Sequence, residues 1–220
     1  MSAFEHQAAD HATIGERNGR VQPPAQSGRG SPMEDVTQLH QRALDETGTV
    51  VAGIDRDQWG AATPCEGWDV EMLLNHLVAG NLWAAELGAG ATIEEVGDRL
   101  DGDVLEDDAL GAYEASAKLA SATFQAPGAL DAPCAVSYGP VPGAVYCGHR
   151  FVDVLIHGWD LAVATSQDST LDPELVAAAY ELLQNEADIV RASGMFGDDL
   201  AVPADAGAQT RLLAFIGRRG

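Results

Sequence analysis

The segment FVDVLIHGWDL, residues 151–161, places an aspartate and a histidine four residues apart in apolar surroundings. On a helix, Asp153 and His157 share one face, one turn apart. Burying a charge is expensive unless it is paired or bound to a metal. Helical bundles build metal sites from carboxylates and imidazoles at this spacing. Alone, the pair reads as an ordinary hydrogen bond; a ligand from elsewhere in the chain would turn it into a site. Catalytic zinc centres use about three protein ligands and keep one position open. His76 is the best third ligand. It sits in another apolar stripe, where a histidine otherwise needs a polar partner.

Other polar residues nearby have blander readings. His149 completes an i, i+4, i+8 series with Asp153 and His157. Each step drifts by roughly 40°, so His149 points about 80° away from His157. It lines the mouth of such a site, with a fourth ligand as the alternative. Asp160 either orients an imidazole as an acceptor or caps and packs. Arg150 reads as a helix-surface salt bridge, with a clamp for a substrate carboxylate as the alternative. Cys65 precedes His76 by about 16 Å of helical rise and is expected to pack where that helix begins. Cys147 is the thiol with some chance of reactivity. Trp68, Trp83 and Trp159 read as core. His6 and His11 fall near the start of the chain, and His40 near the start of the first helix.

Helices must position these residues. Apolar periodicity predicts helices over 34–54, 69–88, 108–125, 144–166 and 173–192, and a short one over 205–217. Asp69 is a plausible cap for the second. Asp172 caps the fifth, with Pro173 at its first helical position. Residues 89–107 read as a loop with one short turn, and 127–143 as a long Pro- and Gly-rich connection, at most a loose hairpin. Strand signals are weak. The expected fold is all-α: a four-helix bundle over residues 33–220 with extra C-terminal helices. Residues 1–32, with QPPAQSGRGSP, read as a disordered tail. Met33 is an alternative start.

Composition narrows the function. The net charge is −22, and the acids and arginines of residues 1–32 cancel, so the bundle carries all of it. Such a surface repels phosphate backbones and anionic membranes. No run of about 18 apolar residues is present, so no membrane helix is expected. Three cysteines without a signal peptide or a C-x-x-C point to a reducing cytoplasm.

Two blocks now carry a resemblance. TPCEGWDVEMLLNHLVAGN (63–81) and RFVDVLIHGWDLAVAT (150–165) resemble the signature blocks of the DinB-like superfamily. The similarity is to the actinobacterial metal-binding branch related to the N-terminal domain of mycothiol-dependent maleylpyruvate isomerase. The closing RLLAFIGR (211–218) is similar to that branch too. The resemblance implies a bundle holding a divalent metal through His76, Asp153 and His157, with zinc first and nickel among the alternatives. It implies mycothiol or a similar low-molecular-weight thiol as co-substrate. The isomerase has Glu where this chain has Asp153, one methylene shorter, so an ion would sit closer to this helix or shift. The isomerase also has a second, C-terminal domain, so the resemblance implies a class of chemistry and not that reaction.

The expected function is a metal-dependent thiol transferase or isomerase. A metal with an open position holds a thiol as its thiolate, which then adds to a small electrophilic substrate. Water activation for hydrolysis is the neighbouring chemistry, but no Glu adjoins His76 as in H-E-x-x-H. The alternative is a non-catalytic metal-binding or stress-related protein. A homodimer is compatible with both.

Overall fold

A computed structural model describes residues 32–188, 191 and 196–219. The predicted tail, residues 1–31 of it, lies outside the described residues. Among the described residues, seven helices and one hairpin follow in order: α1 Pro32–Ala52, α2 Val70–Gly88, α3 Ile93–Val96, α4 Ala109–Gln125, β1 Pro133–Val136, β2 Gly139–Pro142, α5 Gly143–Ala164, α6 Pro173–Asn185 and α7 Ala208–Phe215. The all-α expectation holds.

Side-chain capping fixes most helix starts. Asp69 accepts from the Met72 amide, Asp108 from Gly111, and Asp172 from Glu174 and Leu175. Thr92 and Glu95 form a reciprocal box on α3, satisfying two amides that would otherwise lack partners.

The bundle is a ring of four helices in which α1 packs on α5 and α4, and α2 packs on α4 and α5. Paired residues give the directions. Val36 meets Cys147 and Thr47 meets Val154, so α1 and α5 run parallel. His76 meets Asp153 while Asn81 meets Arg150, so α2 runs against α5. Leu44 meets Tyr113 and Gln41 meets Ser121, so α4 runs against α1. The order along the chain is therefore up, down, down, up. The two parallel neighbours, α2 and α4, need the long crossover of residues 89–108.

Residues 127–143 hold a true antiparallel hairpin, more regular than the loose one expected. Val136 pairs with Gly139 across a two-residue turn of Ser137 and Tyr138, and Gly139 takes φ +114°. Pro133, Pro140 and Pro142 hid it. Proline cannot donate to a ladder, but an isolated two-stranded ribbon leaves the outer amide positions free for it. The fifth predicted helix, 173–192, first breaks after Asn185; residues 189, 190 and 192 of its expected span lie outside the described residues.

Two apolar clusters fill the bundle. One, with Leu73, Leu77, Phe151, Leu155 and Trp159, surrounds the His76 level. The other, with Trp83, Phe124, Tyr146 and Cys147, lies toward the hairpin.

Candidate metal centre

α2 delivers His76 inward because Val70, Leu73, Leu74 and Leu77 form a stripe with no exposed surface. α5 is buried on nearly every side, so Asp153 and His157 project toward α2 from within the bundle. Among the described residues, His76, Asp153 and His157 bring one ligand atom each within 4.8 Å of one another. Asp153 Oδ1 stands 3.4 Å from His76 Nε2 and 3.4 Å from His157 Nε2. These separations exceed a good hydrogen bond. The two imidazoles meet edge to face, 5.0 Å between centroids.

A ring of partners fixes the three side chains. His157 Nδ1 lies 2.9 Å from Asp160 Oδ2. Asp160, fully buried, is gripped by Arg218 at 3.0 and 2.9 Å. With Nδ1 held by Asp160, the His157 ring turns its Nε2 toward Asp153. On the other side, Arg150 Nη1 donates to Asp153 Oδ2 at 2.7 Å and Nη2 to Asn81 Oδ1 at 3.1 Å.

Arg218 arrives through a helix stop. Gly217 takes φ +77°, and the Arg218 amide bonds the Leu213 carbonyl at 2.8 Å. This is the left-handed glycine termination of α7, and it turns the next side chain, Arg218, onto Asp160. Glycine and arginine at the end of RLLAFIGR thus have separate physical jobs.

The loop before α2 folds back over the site. Thr63 Oγ1 accepts from the Cys65 amide at 3.1 Å, the Thr63 and Trp68 backbones pair at 3.0 Å, and Gly67 takes φ +81°. Trp68 consequently lies 5.0 Å from the His76 ring and stacks 6.3 Å from His157. The Cys65 thiol is raised by burial, against the pull of neighbouring Arg218. The straight-helix distance that separated Cys65 from the site does not apply, because this loop reverses. The thiol stands beside the Asp160–Arg218 pair, outside the three-ligand cluster.

Electrostatics separate the two imidazoles. Burial lowers His76, outweighing Asp153. Burial also opposes charge on His157, but Asp153 and Asp160 outweigh it and raise it to about 9. Burial works against the charge on Asp153 as well, yet Arg150 and the two histidines hold it well below the usual carboxylate range.

Several sequence readings change. Arg150 is not on the surface: it is 4 % exposed and ion-paired to the candidate ligand. Trp68 is half-buried against the imidazoles instead of serving as plain core. His149 stands apart from the cluster, bonded to Tyr138 at 2.7 Å and to Glu186 at 2.8 Å. Cys147 is buried and its thiol is pushed up to about 12, so it is inert packing. Arg218 and Asn81 were missed. Arg150, one turn before Asp153 in an otherwise apolar stretch, was the available signal.

A family profile described as the mycothiol maleylpyruvate isomerase N-terminal domain matches residues 40–162, which contain all three clustered residues and Asp160. The chain belongs to this family. Uncharacterized proteins from two strains of Mycobacterium tuberculosis are each 35 % identical over 189 residues, covering 84 % of this chain and 98 % of theirs. Among solved structures, the mycothiol-dependent maleylpyruvate isomerase is similar at TM-score 0.56 and 17 % identity, over 73 % of each chain. A mutant of that isomerase gives TM-score 0.55 at the same identity, over 73 % of this chain and 70 % of its own. These two likenesses establish the shared fold. Arg218 lies beyond the profile, so the family match does not itself account for the arginine that anchors Asp160.

Proposed function

We propose that this member of the mycothiol maleylpyruvate isomerase N-terminal domain family is a divalent-metal-dependent enzyme of thiol chemistry. His76, Asp153 and His157 are the ligands, and zinc is the first candidate metal. One observation carries the reading: a shared carboxylate oxygen stands 3.4 Å from each of two imidazole Nε2 atoms. Donors at 2.0–2.1 Å from one tetrahedral ion stand about 3.4 Å apart. A neutral imidazole pair with one carboxylate also suits zinc.

When bound, the metal supplies a Lewis acid that holds a low-molecular-weight thiol as its thiolate. The chain's own residues do the rest. Asp160 and Arg218 keep His157 oriented. Trp68 shields the imidazoles from water on one side, while His157 keeps 12 % of its side chain exposed, which leaves an approach for a small molecule. Two grooves, about 670 Å³ between α1 and α4 and about 440 Å³ beside the 168–173 loop, are lined by none of the three ligands. We place the thiol, mycothiol-like, and a small electrophilic partner at the exposed edge of His157. The reaction class is addition, transfer or isomerisation. Three free cysteines fit a reducing compartment such as the cytoplasm.

Metal analysis of untagged protein, combined with thiol-consumption assays over a panel of electrophiles, tests this. One equivalent of metal and turnover that disappears in His76→Ala are expected. Absence of stoichiometric metal sinks the site, and metal without turnover across the panel sinks the catalytic reading.

A further inference from the structure

Arg150 is a buried cation whose position is fixed from several sides. Its Nη1 holds Asp153 Oδ2 at 2.7 Å and its Nη2 holds Asn81 Oδ1 at 3.1 Å. Asn81 has no exposed surface, and its Nδ2 reaches Ser116 Oγ at 3.4 Å. The α2 backbone is carved to admit the guanidinium: a Cβ on Gly80 would stand 2.4 Å from Nη1 and 2.7 Å from Cζ. Glycine is disfavoured inside helices, and here the guanidinium occupies the space its missing side chain leaves.

Two consequences follow from this placement. Oδ2 of Asp153 is taken by Arg150, so Oδ1 alone faces the imidazoles. Charge is the second. Arg150 balances Asp153, and Arg218 balances Asp160. The two carboxylates and two guanidiniums bonded to the cluster cancel, and imidazoles bind metals as neutral ligands. A divalent ion among these residues would keep its charge uncompensated. Without Arg150, the same donors would offset one unit.

We infer that Arg150 is a positioning residue that limits Asp153 to one donor oxygen and cancels its charge, so that the centre favours an anionic partner, such as a thiolate, over a neutral one. The inference rests on the metal site of the proposed function and narrows its substrate class to ligands that bind as small anions. Arginine suits this task because its planar fork spans Asp153 and Asn81 at once.

The test uses the full chain loaded with cobalt(II), whose visible bands report ligand exchange. Azide is titrated at fixed pH and ionic strength, then 2-mercaptoethanol. Arg150→Met should retain cobalt but bind azide at least tenfold more weakly than wild type. Arg150→Lys, which keeps the charge, should stay within about threefold, since the change is set by Coulomb attraction across a few ångströms. Gly80→Ala keeps the arginine but pushes its guanidinium off Asp153, and should weaken azide at least threefold. It serves as the test if Arg150→Met does not fold.

Unchanged azide affinity in Arg150→Met or in Gly80→Ala overturns the inference. So does an Arg150→Lys protein as weak as Arg150→Met. A wild type that takes up no cobalt sinks the metal reading and this inference together. Azide binding with the expected variant pattern, but without a sulfur-to-cobalt band on adding thiol, sinks only the thiol reading.

Discussion

His149 and His157 lie on one helix, two turns apart, and each sits beside a carboxylate, yet their surroundings differ in kind. His149 bridges Tyr138 at 2.7 Å and Glu186 at 2.8 Å. Both ring nitrogens are used at near-ideal distances, at the rim of the bundle. His157 spends only Nδ1 that way, on Asp160 at 2.9 Å. Its Nε2 faces a shared oxygen at 3.4 Å, too long for a strong hydrogen bond and matched by His76 at the same distance. A saturated histidine ties the hairpin and α6 to α5. A histidine with one long contact to an oxygen shared with a second imidazole has the arrangement proposed above for a metal ligand. Partner distances separate the two roles where residue type and spacing do not.

The largest expected effect tests that contrast directly. His76→Ala and His157→Ala should each reduce bound metal from about one equivalent to near zero by elemental analysis, since either leaves only two ligands. His149→Ala should keep the full equivalent. Equal metal loss in all three variants would erase the distinction between the two histidines.

Orientation comes next in size. Asp160→Asn keeps the shape but removes the charge that aims His157 and anchors Arg218. Losses from such partner changes run about 10–100-fold in metal affinity, and a chelator competition assay should read a drop in that range. An unchanged affinity would make the Asp160–Arg218 pair a fold element only.

Much of this arrangement is legible in the chain, and the missed parts share a cause. Periodicity finds α1, α2, α4 and α5 because each buries a continuous stripe, and Asp69 and Asp172 mark the starts of α2 and α6 by a local rule. His76, Asp153 and His157 stand out as polar residues inside such stripes. Arg150 stands in the same kind of stripe, but its burial depends on space at Gly80 and an acceptor on Asn81, 69 residues away. Nothing local reports that. Trp68 and Cys65 depend on a loop reversal built from Thr63 and Gly67. The hairpin was obscured because its prolines signal turn before strand. Arg218 needs the α7 stop to be aimed, a feature visible as Gly-Arg at the chain's end but without a partner in sequence.

Protonation offers an intermediate effect with a defined sign. His157 is raised to about 9 in the folded metal-free protein, against about 6.5 in an unfolded chain. Its contribution to stability is therefore complete below about pH 6.5 and is lost as the pH rises through about 9. The size is on the order of 3 kcal/mol, or several degrees in melting temperature for a chain this long. Thermal scans of chelator-treated protein should fall between pH 7 and 9.5. His157→Gln should flatten that slope, as should saturating metal, which holds the imidazole unprotonated. A slope that survives in His157→Gln would assign it to another group.

The smallest effect belongs to the rim. Tyr138→Phe removes one hydrogen bond from a half-exposed side chain, where water replaces the lost partner on His149. A net cost of about 0.5–1 kcal/mol is expected, with metal content and thiol chemistry unchanged. His149→Phe breaks both bonds and leaves Glu186 to solvent, so it should cost about twice as much, again without loss of metal. Urea titration of the two variants, each with metal saturated, measures both. If Tyr138→Phe instead shifts metal affinity, the hairpin end of α5 is coupled to the His157 end. The two histidines would then act as one unit along the helix, and the separation drawn from their distances would fail.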